Sequence, residues 1–288
     1  MIYLPTKPDR NDVDNFIAQT FLYDRFQLLM LNQFKWNGLD DLGIEERHIE
    51  QYLFDRGSAL FFEHPDYGFM CLPCHGVGRL NVYGDFMLYR ATGANFSYPV
   101  SAADAVLIEN NKLRMSTHKA VVFFVQRLYD IVRTMDTNIK QLKLQTLFVA
   151  TDKNVLTVKK IIDELEKNNW AIITDGSMQL EEIVKAIQTG VKCLTPELTD
   201  RYNALMNEAL TYFGINNSNT DKRERLITDE ANANNQFIDS CASMFLEARE
   251  CACELINKKF GLNISVELRN KREEAPADDP VPVPVPSE

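Results

Sequence analysis

The side chains best suited to chemistry lie in "CLPCH", Cys71 to His75. Two thiols followed by an imidazole form the C-x-x-C-H pattern of covalent haem attachment, and the same donors suit zinc. Haem attachment requires an oxidising compartment. The opening "MIYLPTKPDRND" has no apolar h-region of a signal peptide, so cytoplasmic synthesis is the expectation. A structural zinc site takes four ligands, yet only His64 lies near Cys71, Cys74 and His75, and no second paired-cysteine knuckle is present. Two half-buried thiols in a hairpin are the plainer account. A cytoplasmic metal- or thiol-dependent enzyme using Cys71, Cys74 and His75 stands as the rival, and metal analysis of the purified chain separates the two.

Other apparent motifs carry less. In "CAC", Cys251 and Cys253 sit two apart on a helix and point about 200° away from each other, so they do not converge. "GVGRLNVYG", 76 to 84, resembles a phosphate loop but lacks the following helix that such a site needs. Turn glycines of a β module explain it. The four histidines (48, 64, 75, 118) are scattered, and no carboxylate cluster has metal-ligand spacing. Neither a cofactor nor a catalytic residue is assigned, and the chain is read as a non-enzyme. All six cysteines read as reduced thiols.

The totals narrow the class further. Apolar content of 45% and charged content of 25% are those of an ordinary globular protein. The longest apolar run, Ala120 to Val125, falls far short of the ~20 residues of a membrane helix. Formal charge is 31 − 41 = −10, so the chain should not coat itself with nucleic acid, and any DNA contact must be local or weak.

Periodicity gives the elements on which these residues sit. Residues 12–35 read as a helix with Phe16, Ile17, Phe21, Phe26, Leu29, Leu31 and Phe34 on its apolar face, and 44–54 as a shorter one stopped by Gly57. From 58 to 110, short apolar runs broken by Gly, Pro, Asn and Asp predict a small all-β module. Residues 116–140 predict one helix of roughly 37 Å. The alternation from 143 to 194 predicts an α/β unit: strand "LQTLFVA", helix "TVKKIIDELEKN", strand "WAIITD", helix "QLEEIVKAIQ", strand "VKCL". Thr195-Pro196 opens a helix ended by Gly214. Another spans 235–260, with Phe237, Cys241, Met244, Phe245, Ala248, Ala252, Leu255 and Ile256 as its buried side, before a strand "NISVEL". "REEAPADDPVPVPVPSE" reads as an extended tail. The long helices could pair within one chain or against copies of it, and periodicity is compatible with both.

Between two amphipathic helices lies "NNSNTDKRERLITDEANANN", 216–235, without apolar period. An excursion this long in a compact fold is either disordered, a solvated and charge-balanced loop without a partner, or has a role. Together with its flanking residues, it carries a resemblance. Phe213-Gly214-Ile215, Asn217, Asn219, Lys222, Glu224-Arg225, Thr228-Asp229-Glu230, Asn234, Phe245-Leu246, Arg249-Glu250, Cys253-Glu254, Ile256-Asn257, Gly261-Leu262-Asn263 and Arg269 closely resemble the portal proteins, also called head–tail connectors or upper collar proteins, of small short-tailed phages. The likeness is dense over the last third of the chain. Upstream it rests on the order of elements.

The resemblance implies an α+β portal fold assembled as a dodecameric ring around a DNA channel. Residues 1–57 would be wing and trunk helices, and 58–114 an SH3-like β wing. Residues 115–142 and 195–214 would be stem helices, with 143–194 the α/β clip between them. Then come the channel loop, 215–234, a trunk helix and strand, 235–270, and a Pro-rich tail, 271–288. Lys222, Arg223 and Arg225 would touch DNA phosphates, within a loop that also carries Asn217, Asn219, Thr228, Asp229 and Glu230. Implied partners are double-stranded genomic DNA without sequence preference, major capsid and scaffolding proteins, a separate packaging ATPase and a tail or lower collar protein. The place would be a capsid vertex of the virion, at the head–tail junction, with no membrane. A tail adaptor ring is the alternative within this class. Where better-known members carry lysine rings in the lower stem, this chain has Glu197, with Lys192 and Arg201 nearby.

Overall fold

The structure, a computed structural model, describes residues 10–143, 146–149, 185–188, 191–216 and 228–269. The chain divides into two compact units: Met1–Gln126 with Asn207–Glu288, and Arg127–Met206. Five helices are described: α1 (Arg10–Leu31), α2 (Glu46–Arg56), α3 (Thr117–Lys143), α4 (Thr195–Tyr212) and α5 (Thr228–Phe260).

In the first unit, strands β2 (Ser58–His64), β3 (Gly68–Leu72) and β7 (Ala105–Glu109) form an antiparallel sheet in the order β3-β2-β7. Strands β4 (Cys74–Leu80), β5 (Phe86–Gly93) and β6 (Phe96–Ser101) form a second, in chain order. The alternation of β2 explains the layering. Leu60 and Phe62 turn towards Tyr89, Ala91 and Val100 of the second sheet, whereas Ala59 and Phe61 turn towards α2 and α5. A strand covered on both sides reads as a continuous apolar run, and "ALFF" is one.

The larger core joins Phe34, Ile49, Leu53, Phe61, Phe245 and Ile256, all buried. Burying each such side chain stabilises by roughly 1.5–3 kcal/mol. Through this core passes one buried ion pair. Arg249 of α5 places Nε 2.9 Å from Oε1 and Nη2 2.7 Å from Oε2 of Glu50 on α2. The guanidinium also donates to the Asn110 and Phe245 carbonyls and to Asn110 Oδ1, and it lies over the Phe34 ring at 4.1 Å. Trp36 Nε1 donates to Glu50 Oε1, and Asn110 Nδ2 to Met115 O and Thr117 Oγ1. One charged residue thereby ties α2, α5, the strand containing Phe34 and Trp36, and the start of α3 into a satisfied network.

Several expectations need correction. The first helix stops at Leu31, not near 35, and Asn32 bonds back through its side chain to Leu28 O. Residues Phe34–Asn37 then form β1, antiparallel to β10 (Ser265–Leu268) with Phe34 opposite Leu268. "FKWN" alternates buried and exposed, a period-2 signal too short to outweigh the helical stripe before it. The last long helix begins at Thr228, not at 235. Residues 228–235 are almost all polar or small, and such a stretch lacks the apolar period by which helices are found.

In the second unit, β8 (Thr146–Val149) pairs antiparallel with β9 (Lys185–Gln188). The end of the expected helix "QLEEIVKAIQ" is thus a strand, because pairing with β8 overrides local propensity. The expected strand "VKCL" has no strand partner among the described residues. The buried Asn138 side chain of α3 takes its place, donating to Lys192 O and accepting from Leu194 N, both at 2.9 Å. The other α/β elements expected between 150 and 184, and the tail, lie outside the described residues.

Candidate functional site

The "CLPCH" residues do not form a ligand set. Cys71 is buried in β3 beneath α2, Cys74 opens β4, and the His75 side chain is exposed. Burial pushes the Cys71 thiol well above its ordinary 9.0, with Cys74 and Glu50 adding to it, and lifts Cys74 to about 11. Thiols held protonated are poor nucleophiles and poor ligands. The fourth donor, His64, is buried among Tyr67, Phe96 and Tyr98, and its Nδ1 accepts from the Asp66 amide. Among the described residues no three His, Cys, Asp or Glu side chains converge on a metal position. Cys253 is buried and Cys251 exposed, as their spacing on a helix requires. In "GVGRLNVYG", Gly76 packs under the Phe86 ring, which any Cβ would overlap, so that glycine serves a strand contact.

The channel-loop candidates Asn217, Asn219, Lys222, Arg223 and Arg225 lie outside the described residues. Thr228, Asp229 and Glu230 fall in the first turn of α5. The chain just before these candidates is firmly built. Phe213 is fully buried against Phe26 and Phe124, and its carbonyl accepts from Gln33 Nε2 at 2.9 Å. Gly214 has φ +68, and Ile215 N closes back onto Leu210 O at 2.9 Å, a C-terminal cap that needs a left-handed residue. Gly214 also abuts the Ala242 backbone so closely that a Cβ would overlap it. The segment between α4 and α5 therefore springs from a point where its incoming end is packed against α5.

Other residues that carry the resemblance prove structural. Arg249 holds the buried network. Asn257 clamps Ile264 by two bonds, to its carbonyl and from its amide, at 2.8 and 2.7 Å. Gly261 ends α5 at φ +68, and Arg269 bonds Glu46 at 2.6 Å. Glu197, Lys192 and Arg201 are exposed.

A family profile described as Phage Connector (GP10) matches residues 7–272. The chain belongs to the phage connector family. Its fold agrees: the connector is similar to a chain of "Portal and tail of native bacteriophage P68", at 14% identity over 94% of both chains and a TM-score of 0.50. It is also similar to a chain of "Virion of native gene transfer agent (GTA) particle", at 11% identity over 91% of this chain and 84% of that one, TM-score 0.52. The molecule is thus a phage portal, or connector, protein with the α+β portal fold, and nothing favours the thiol enzyme.

The connector leaves much apolar helix surface open. The first helix buries Leu22, Phe26 and Met30 while Ile17, Phe21 and Leu28 stay exposed. On α5 the buried face is Ile238, Cys241, Ala242, Phe245, Arg249, Ala252, Cys253 and Ile256. Phe237, Met244 and Leu255, expected inside, form a second stripe that is about half or more exposed. Two apolar stripes on one helix are what a subunit packed on both sides requires.

Proposed function

We propose that copies of this connector close into a ring, twelve in number, around a channel that passes double-stranded DNA at one capsid vertex of the virion. The observation that carries this reading is the family match over nearly the whole chain, and the second apolar stripe of α5 supports it. In this arrangement α3 and α4 are the stem, 58–114 the wing, 143–194 the clip, and the segment between α4 and α5 the channel loop. A closed cyclic interface covers every copy's apolar stripe without leftover edges.

A channel must pass DNA without gripping it. At −10 per copy, twelve copies carry about −120, so the wall repels the duplex. Lys222, Arg223 and Arg225 supply screened phosphate contacts, each worth about 1 kcal/mol or less, that position DNA and read no sequence. The ring works as a structural part rather than an enzyme. It docks a separate ATPase motor, meets capsid and scaffolding proteins at its wing, and seats the tail or lower collar. The test is assembly of particles with and without this chain. Particles lacking it should hold no DNA, and DNA-filled, tailed particles formed without it would overturn the reading.

A further inference from the structure

The β4–β5 hairpin ends in an apolar tip that the described residues leave bare. Val82 is 93% exposed and Tyr83 88%, with Leu80 and Met87 also more than half exposed. The tip is held in shape. Asn81 Oδ1 accepts from the Tyr83 and Asp85 amides at 2.9 and 2.8 Å, Asn81 N donates to Asp85 O, and Gly84 turns the chain at φ +86. Arg114 fixes Asp85 at 2.8 Å. A turn pinned in this way cannot fold back to bury its own side chains. A pinned apolar tip of this kind is suited to contact with another molecule.

The same unit carries a cleft of matching character. Between α1, the end of α4 and α5 lies a groove of about 1080 Å³, lined by Phe21, Leu28 and Leu246 among others. Its lining includes Asp24, which forms no ion pair among the described residues, beside Arg25 and Asp239. The tip has the complement: Asp85 is already paired with Arg114, while the exposed Arg79 forms no ion pair with a described carboxylate. The groove's size is that of a site for a compact ligand, enough for a four-residue turn.

Resting on the ring reading above, we infer that the hairpin tip, Val82 and Tyr83, docks in the α1–α5 groove of the next copy, with Arg79 towards Asp24. Tip and groove are different surfaces, so the contact is heterologous and propagates in one direction, as a cyclic ring needs. Tyr is also among the residues that dominate interface energies.

Two variants test this by sedimentation velocity, V82D/Y83D in the tip and L28D in the groove. All three positions are exposed, and an unchanged cooperative unfolding transition confirms that each variant folds. Each alone should need about tenfold or more higher concentration to assemble than the unaltered chain. Mixed together, they should give a one-to-one dimer and no ring. The tip of the L28D copy enters the intact groove of the V82D/Y83D copy, and both outer ends are then dead. Rings from either variant at the original concentration, or no dimer from the mixture, would overturn this contact while leaving the ring itself intact. An unaltered chain that never oligomerises would overturn the ring reading as well.

Discussion

Arg249 and Glu50 meet through two parallel hydrogen bonds, 2.9 and 2.7 Å long, with both side chains 3% exposed. They lie 199 positions apart, and their union joins α2 to α5 beneath the β3-β2-β7 sheet. Removing one member leaves the other charged and buried. Arg249→Ala or Glu50→Ala should therefore cost about 3–5 kcal/mol, read as a lower urea midpoint. Arg249→Lys should recover only part of that, because an ammonium cannot reproduce the fork. Equal midpoints for Ala and Lys would show that geometry is irrelevant there.

Gly214→Ala should destabilise the first unit by about 1–3 kcal/mol, since its φ of +68 and its approach to the Ala242 backbone both resist a side chain. Thermal unfolding checks this, and an unshifted midpoint would mean that α4 can end differently.

In the second unit, Asn138→Ala removes both bonds that hold 192 and 194. A loss of about 1–3 kcal/mol should appear as faster hydrogen exchange at Leu194, whose amide loses its acceptor. Exchange at Leu194 that matches the original chain would contradict this.

Stability should fall on the alkaline side. Burial raises Cys74 from 9.0 to about 11 and Cys253 from 9.0 to about 12, and raises Tyr23 from 10.0 to about 12. A folded value above the unfolded one means that the native state holds its protons longer. The contribution is fully present below about pH 9 and drains away between about 9 and 12. Urea midpoints across that range should decline, less steeply for Cys74→Ser. The exposed Cys193 and Cys251 should be alkylated in the native protein before Cys71, Cys74 and Cys253.

Replacing Lys222, Arg223 and Arg225 with Ala, or cutting out 217–227, should leave ring assembly intact and impair retention of packaged DNA. Rings that fail to form would make the segment structural. The deletion stops at 227 because α5 begins at Thr228.

Much of this fold is legible in the residues. The α2 stop at Gly57, the all-β texture from 58, and the helices over 117–143 and 195–212 come from caps and periods. The remainder is hidden for physical reasons. Phe34–Asn37 is a strand only because Ser265–Leu268 lies beside it, and Val191–Leu194 loses its strand to the Asn138 side chain. The phase of α5 is ambiguous in sequence because the helix carries two apolar stripes. Arg249, standing four after Phe245 and three before Ala252, is a charge inside the buried one and marks which stripe that is. The proposal of a basic channel loop rests on resemblance alone, since its residues have no period that a sequence could announce.

Electron microscopy of the purified chain, with particle mass measured in parallel, bears most directly on the claim that neighbouring copies cover the open helix faces. Annular particles with a central hole and a mass near twelve times 33.0 kDa are the predicted result. A compact monomer at every concentration tried would contradict it.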